Sequence, residues 1–176
     1  MTDSFLYTTP LDVRAQPLVE ALTWEYQSRY GDYWGEPASK EMSRYPAELF
    51  APPHGAFVLL MRNGTAIAGG AFKRYDERTA ELKRVWTHVD LRRQGLARRI
   101  LVELEAQAAR QGYDRIYLTT GFRQPEAAGL YLSTGYTALF DTGADPETYG
   151  SLPFEKDISA LALQLRSQLT VDRKAG

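Results

Sequence analysis

A chain of 176 residues with 44% hydrophobic and 24% charged residues has the length and composition of an ordinary globular domain. A formal net charge of −1 argues against a nucleic-acid partner or a membrane surface, and no apolar run is long enough to span a bilayer. The absence of cysteine excludes disulfides, thiolate metal sites and a cysteine nucleophile, and no metal is expected. No basic-then-apolar leader begins the chain, so the expected location is cytoplasmic.

The first third of the chain predicts a strand, a helix and an irregular segment. Phe5–Thr8 has the composition of a short strand. Thr9-Pro10 is typical of a helix start, with a hydroxyl cap followed by proline at the first helical position. Glycines and prolines interrupt Tyr30–Pro53, where a short helix is expected around Ser39–Tyr45.

A hairpin and a further strand are predicted next. Ala56–Met61 and Thr65–Phe72 flank Asn63-Gly64, the strongest short hairpin signal, because both central residues of that turn need positive φ. Thr79–Val89 is rich in β-branched and aromatic residues and predicts the following strand.

The segment Arg92–Ala97 lies between that strand and an amphipathic helix predicted over Arg98–Arg110. The first N–H groups of a helix have no intrahelical partner, and the helix dipole adds partial positive charge there. Gly95 allows close approach of a ligand to the backbone, and Arg92, Arg93 and Arg98 add formal charge. The segment therefore predicts a site for a ligand that carries phosphate.

The remainder of the chain continues the alternation of strands and helices, which indicates an α/β fold. The predicted elements are a helix end at Gly112, a strand over Asp114–Thr120, a helix from Pro125 to Gly135, strands over Tyr136–Phe140 and Ser151–Lys156, and a helix over Ser159–Leu169.

From about Phe57 to Phe140 the chain resembles the GNAT superfamily of acyl-CoA N-acyltransferases. Arg92, Gly95 and Ala97 occupy the defining positions of that family's pyrophosphate loop. The other matching segments are Ala80–Arg84 at the start of the central strand, Leu118–Gly121 followed by Gln124–Ala127, and Leu130–Tyr136, which is similar to the family's Leu-Tyr-x-x-x-Gly-Phe/Tyr element.

The resemblance implies one N-acetyltransferase domain over residues 1–176, with a mixed, V-shaped β-sheet, helices on both faces and a C-terminal helical tail over 158–176. It implies transfer of acetyl from acetyl-CoA, as co-substrate, directly to a primary amine through a tetrahedral intermediate in a ternary complex. The expected partner is a small-molecule or peptide amine, and a homodimer is left open.

The resemblance also assigns roles to residues. Glu81 is the expected general base and Tyr131 the expected acid toward the thiolate; the alternatives are an exposed strand-end glutamate and a tyrosine packed on the sheet. Backbone N–H groups of the central strand are expected to polarise the carbonyl oxygen and to pair with the pantetheine arm. The expected cofactor-binding residues are Val85, Trp86, Thr87, Arg92, Arg93, Gln94, Gly95, Leu96, Ala97, Arg98 and Gln124.

Several alternatives remain at this point. His88 is a second candidate base, although its odd offset from Glu81 along the strand predicts the opposite face of the sheet. The chain could instead be a non-catalytic acyl-CoA-binding module, could use a longer acyl group, or could bind a phosphate ligand other than coenzyme A. Aromatic and acidic residues before Pro53 are candidates for the acceptor cleft, with plain core packing as the alternative: Tyr26, Tyr30, Tyr33, Trp34 and Phe50, with Asp32 and Glu36.

Overall fold

In the computed structural model, which describes residues 2–175, the chain forms a mixed seven-stranded sheet with four α-helices. The strands are β1 (Asp3–Tyr7), β2 (Ala56–Arg62), β3 (Thr65–Arg74), β4 (Thr79–Thr87), β5 (Arg115–Gly121), β6 (Thr137–Ala138) and β7 (Ser151–Asp157). The helices are α1 (Gln16–Tyr30), α2 (Leu96–Arg110), α3 (Pro125–Ser133) and α4 (Ser159–Lys174).

The strand order in the sheet is β1-β2-β3-β4-β5-β7-β6. Pairing is antiparallel for β1 with β2, β2 with β3, β5 with β7, and β6 with β7, whereas β4 and β5 run parallel. The predicted α/β fold with a mixed sheet is confirmed. No helix within residues 2–175 is both long and apolar enough to cross a membrane.

Contacts within the chain define two compact units. The first unit comprises the chain up to Lys73 together with Lys83–Leu101, and the second comprises Arg74–Leu82 and the chain from Val102 onward. A single domain over residues 1–176 stays a prediction.

The core of the first unit forms around the predicted hairpin. Asn63 and Gly64 have φ of 53° and 77°, as the turn requires, and β2 is buried along nearly its whole length. At Gly69 a Cβ atom would lie 2.7 Å from Leu18 Cδ1, so this glycine lets α1 approach β3 closely. The fully buried side chains there include Leu18, Phe50, Phe57 and Leu59.

The predicted start of the first helix at Thr9-Pro10 is wrong, because α1 begins at Gln16. Thr8 Oγ1 donates to Asp12 Oδ2 at 2.6 Å, and Asp12 Oδ1 accepts from Arg14 N at 2.8 Å. Asp12 thereby caps a 3-10 turn over Val13–Ala15, and Pro17 takes the place in the first turn of α1 that Pro10 was expected to fill.

Three other boundaries differ from the sequence-based predictions. The expected helix around Ser39–Tyr45 is a 3-10 segment over Ala38–Ser43, and β6 has two residues instead of five. Helix α4 extends to Lys174, and Leu169, expected on its apolar face, is 59% exposed. The side chain of α4 that is buried is Ala162.

Candidate functional site

The predicted phosphate loop in the first unit is exposed, and the helix that follows it begins with buried apolar side chains. Leu96 and Ile100, at the start of α2, are buried, whereas Arg92–Gly95 are exposed. Gly95 has φ of +76°, and a Cβ atom built on it would meet nothing within 4 Å. The glycine therefore provides the left-handed turn and leaves the backbone accessible to a ligand.

Four successive N–H groups at the start of α2 have no acceptor. The first helical hydrogen bond runs from Arg99 N to Gly95 O at 3.1 Å. Among the residues that the structure describes, Gly95, Leu96, Ala97 and Arg98 donate no backbone hydrogen bond. Convergent N–H groups at a helix start, together with the helix dipole, favour an anion.

The arginines of the loop also lack partners. Arg92, Arg93 and Arg98 are exposed and form no ion pair or side-chain hydrogen bond within residues 2–175. The neighbouring Arg99 behaves differently, because its Nη1 lies 2.8 Å from Asp3 Oδ2. Asp3 also accepts two hydrogen bonds from Arg62, and these arginines hold the pKa of Asp3 well below its usual range.

The second half of β4 is irregular at Arg84. Arg84 has φ of +60° in the middle of the strand, one residue before Val85–Thr87, which were predicted to bind the cofactor. Beyond it, Trp86 is buried in the core of the first unit, and Val85 and Thr87 are half-buried. In the described part of the chain, Thr87 Oγ1 is the one enclosed side-chain oxygen or nitrogen without a hydrogen-bond partner.

Sequence reasoning missed Arg84. Its side chain is only 9% exposed, Nη2 donates to the carbonyl oxygen of Met42 at 2.9 Å, and the guanidinium carbon lies 4.8 Å from the centre of the Phe50 ring. A usable signal existed, because two adjacent cations, Lys83 and Arg84, within an apolar strand cannot both point outward under regular alternation.

His88, the alternative base, lies just beyond the end of β4 at Thr87. Its Nδ1 accepts a hydrogen bond from Asp90 N at 3.2 Å and caps a 3-10 turn over Val89–Leu91. Arg84, whose φ is positive, also interrupts the regular alternation of side chains along β4. The expectation that His88 and Glu81 lie on opposite faces of the sheet depended on that alternation. The structure thus gives His88 a capping role in the turn before the loop.

In the second unit Glu81 is buried, with 8% of its surface exposed. It lies in β4 opposite Tyr117 of the parallel strand β5, and the Tyr117 ring stacks against Tyr75 with centroids 4.7 Å apart. The alternative of an exposed strand-end glutamate is wrong. The role of Glu81 as the general base stays a prediction.

Tyr131, on α3, is 7% exposed, and its ring contacts the rings of Tyr136 and Phe154 at centroid distances of 5.5 and 5.6 Å. Its hydroxyl has no hydrogen-bond partner among residues 2–175 and retains some accessible surface, since it is absent from the fully enclosed atoms. Burial raises the pKa of Tyr131 well above its ordinary value. The phenol therefore stays protonated and keeps a donor available.

A network of hydrogen-bonded side chains around Glu105 includes Tyr136, whose ring contacts that of Tyr131. Glu105, 7% exposed, accepts from Tyr136 Oη at 2.9 Å and from Lys156 Nζ at 2.8 Å. Lys156 also donates to the carbonyl oxygen of Thr134 at 2.9 Å. Burial, and then the adjacent Glu105 carboxylate, raise the pKa of Tyr136 far above its usual value. The network fixes Tyr136, whose ring in turn packs on Tyr131.

Gln124 directs its amide oxygen back to the end of β5. The oxygen accepts from Gly121 N at 3.2 Å and from Thr120 Oγ1 at 3.4 Å. This arrangement connects β5 to the start of α3. A contact between Gln124 and a cofactor stays a prediction.

Of the aromatic residues before Pro53, some are buried in the interior and others are exposed. Tyr30 and Phe50 are 4% and 1% exposed and belong to the interior, whereas Tyr33 and Trp34 are exposed and contact each other at 5.3 Å. Glu36 already forms an ion pair with Arg44 at 2.7 Å. No group of three or more His, Asp or Glu in the described chain could hold a metal ion.

The comparisons with known proteins agree with this arrangement. The model of the Acetyltransferase (GNAT) family matches residues 19–136. An uncharacterized N-acetyltransferase of Bacillus subtilis, YsnE, is 34% identical over 91 residues, which are 48% of this chain and 60% of the relative's length.

Solved structures show the same fold. A protein from Klebsiella pneumoniae, assigned as an acyl-CoA N-acyltransferase, has 26% identity and a TM-score of 0.65, covering 89% of this chain and 98% of that one. The PaiA N-acetyltransferase of Thermoplasma acidophilum, solved in complex with coenzyme A, has 16% identity and a TM-score of 0.63, covering 89% and 99%. Since the family model spans well over half of its length, the chain belongs to the GNAT family of acetyltransferases.

Proposed function

We propose that this protein is an acetyl-CoA-dependent N-acetyltransferase that transfers the acetyl group directly to a primary amine in a ternary complex. The observation that carries the proposal is the start of α2, where four N–H groups without acceptors adjoin three arginines without partners. The coenzyme A complex of the Thermoplasma relative supports the same ligand by analogy of fold.

The residues of the first unit fit coenzyme A. A pyrophosphate offers several anionic oxygens, which suit the N–H groups of Gly95–Arg98 and the guanidinium groups of Arg92, Arg93 and Arg98. Along Val85–Thr87, the backbone would pair with the amides of the pantetheine arm as an added strand does. The unpartnered Thr87 Oγ1 is a further polar group that a ligand along this strand could satisfy.

The reaction forms a C–N bond between the amine and the acetyl carbonyl carbon and breaks the C–S bond of the thioester. The products are an N-acetylated amine and free coenzyme A. The amine must lose a proton, and the thiolate that leaves must be stabilised or protonated. Glu81 takes the proton from the amine, directly or through a water molecule.

Tyr131 donates to the leaving sulfur. Because its pKa is raised, the phenol holds its proton more tightly than a thiol does, whose ordinary pKa is ~8.5. Its contribution is therefore a hydrogen bond that strengthens as charge develops on sulfur, with the final proton supplied by solvent. An otherwise unpartnered hydroxyl is suited to this role, since it has no competing acceptor in its own unit.

A panel of amines incubated with purified protein and acetyl-CoA tests the proposal. We expect acceptor-dependent release of free thiol, and an acetylated amine identified by its mass, in equal amounts. Binding of acetyl-CoA without turnover of any amine would instead identify an acyl-CoA-binding module. Failure to bind coenzyme A at millimolar concentration would contradict the proposal altogether.

A further inference from the structure

The guanidinium of Arg84 is a buried cation that has little to bind inside the protein. It lies at the edge of the first unit's core, over the Phe50 ring, and gives one hydrogen bond, to Met42 O at 2.9 Å. An arginine carries five N–H donors, so four remain. Within residues 2–175, no ion pair or further hydrogen bond engages them.

The two guanidinium nitrogens without a partner, Nε and Nη1, are not fully enclosed. Every side-chain nitrogen that is fully enclosed in the described chain has a partner, so the unpaired nitrogens of Arg84 must border accessible space. Burial also lowers the pKa of Arg84, which reports how far the group has been removed from water. Arginine nevertheless stays charged, and an unpaired buried charge is costly. Such an arrangement favours an anion that enters from outside.

Two lysines contact the ring of Tyr45, which is a neighbour of Arg84. Lys83 and Lys73 lie with Nζ 4.8 and 5.4 Å from the centre of the Tyr45 ring. The nearby carboxylate, Glu41, is already within 3.1 Å of Arg44 and 3.6 Å of Lys83. Its electrostatic influence reaches Arg84, but it is not within ion-pair distance of the guanidinium.

Arg84 immediately precedes Val85–Thr87, the segment proposed to hold the reactive arm of coenzyme A. An anion bound to Arg84 would thus be carried by the other substrate, the amine. A guanidinium presents a planar fork that matches a carboxylate in a two-point hydrogen bond. Building on the proposed function, we infer that the acceptor is an amino carboxylate of the amino-acid type, whose carboxylate is bound by Arg84.

The test compares amino acids with their carboxamides, which have the same side chain and amine but no charge at that end. For the wild-type protein we expect kcat/KM to be about tenfold or more higher for the amino acid, mainly through KM, as for loss of one charge-assisted contact. Arg84→Met should abolish this preference, so that the variant uses the amino acid and the carboxamide with equal kcat/KM. Arg84→Lys should restore part of it.

Arg29→Met is the matched control, because Arg29 is a cation of the same unit paired with Glu25 at 3.2 Å. It should keep the wild-type preference. Melting temperatures verify that each variant folds, and the wild-type comparison of amino acid with carboxamide stands even if Arg84→Met does not fold.

Equal use of both forms by the wild type, or an unchanged preference in Arg84→Met, would overturn the inference. If the panel gives no turnover, calorimetry with coenzyme A present decides, and equal or absent binding of amino acids and carboxamides counts against the inference. Acetylation of uncharged amines alone would contradict this inference while upholding the proposed function, whereas failure to bind coenzyme A would contradict the proposed function itself.

Discussion

The polar groups around Glu105 are paired with one another, whereas those at the start of α2 have no partner within the described chain. Around Glu105, a tyrosine hydroxyl, a lysine ammonium and a carboxylate are all paired at 2.8–2.9 Å in a buried setting. At the start of α2, the backbone donors of Gly95–Arg98 and the side chains of Arg92, Arg93 and Arg98 have no partner in the described chain. Paired buried groups hold a fold together, whereas unpaired oriented groups are available to a ligand. Substitutions in the first region should therefore affect stability, and those in the second should affect binding.

The largest expected effect is on stability, from Glu105→Ala. The change leaves Lys156 and Tyr136 without their acceptor, and breaking a buried pair in this way costs about 3 kcal/mol. For a chain of this length that corresponds to a fall of about 6–12 °C in melting temperature. Glu105→Gln, which keeps a carbonyl oxygen at this position, should lose less. A melting temperature unchanged by Glu105→Ala would show that the network is not structural.

Tyr131→Phe should mainly lower turnover. The hydroxyl has no partner to lose among the described residues, so stability should change little, while kcat falls by ~100-fold, as for loss of one hydrogen bond to a developing charge. Tyr136→Phe is the matched change, since it removes the hydrogen bond to Glu105 and should lower stability by ~1–2 kcal/mol. Wild-type kcat in Tyr131→Phe would remove Tyr131 from the mechanism.

The raised pKa of Tyr131 gives the same substitution a pH signature. A phenol whose pKa is raised keeps its proton as pH rises through ~10, the ordinary value. The wild-type rate should therefore show no alkaline fall near pH 10 from loss of this donor. Ultraviolet titration of the tyrosines should give the same curve for wild type and Tyr131→Phe up to that pH.

Gly95→Val should weaken coenzyme A binding by about tenfold or more, because a β-branched residue disfavours the left-handed turn that presents the N–H groups. Gly64→Val is the control: this hairpin glycine also has positive φ, 77°, and open space around it. Both variants should lose ~1–2 kcal/mol of stability. Equal coenzyme A affinity in the two, measured by calorimetry, would mean that the loop is misassigned.

The smallest expected effects distinguish two adjacent arginines. Arg98→Gln should lower coenzyme A affinity about threefold at low salt and less at high salt, as for one exposed charge near a helix start. Its melting temperature should stay unchanged. Arg99→Gln removes one of the two arginines that lower the pKa of Asp3.

The sign of the Arg99 effect follows from that lowered pKa. The Asp3 contribution to stability is present above the ordinary pKa of ~3.9 and is lost as pH falls below it. Arg99→Gln should therefore lower the melting temperature near pH 7 and have less effect in acid. If Arg98→Gln and Arg99→Gln changed coenzyme A affinity and melting temperature by the same amounts, the distinction between a ligand-binding and a structural arginine would be wrong.

Local rules predicted the parts of the molecule whose conformation depends on a few neighbouring residues. Asn63-Gly64 predicted the hairpin correctly, and the residues around Gly95 predicted a strand, a turn and a helix start. Both predictions rest on local properties, namely positive φ and the unpaired N–H groups of a helix start. The start of α1 was misplaced because Thr8, Asp12 and Arg14 form a competing local cap. Arg84 was missed because its left-handed backbone and its contact with Met42, 42 residues away, depend on tertiary structure.

Amide NMR of the labelled protein titrated with coenzyme A measures the contact between the loop and the pyrophosphate most directly. The hypothesis is that the N–H groups of Gly95, Leu96, Ala97 and Arg98, which have no acceptor within the described chain, bind the pyrophosphate. It predicts downfield shifts of these four amide protons that saturate with the measured affinity, and smaller shifts around Glu105 and Tyr136. Saturable binding that leaves the Gly95–Arg98 amides unmoved would contradict the claim.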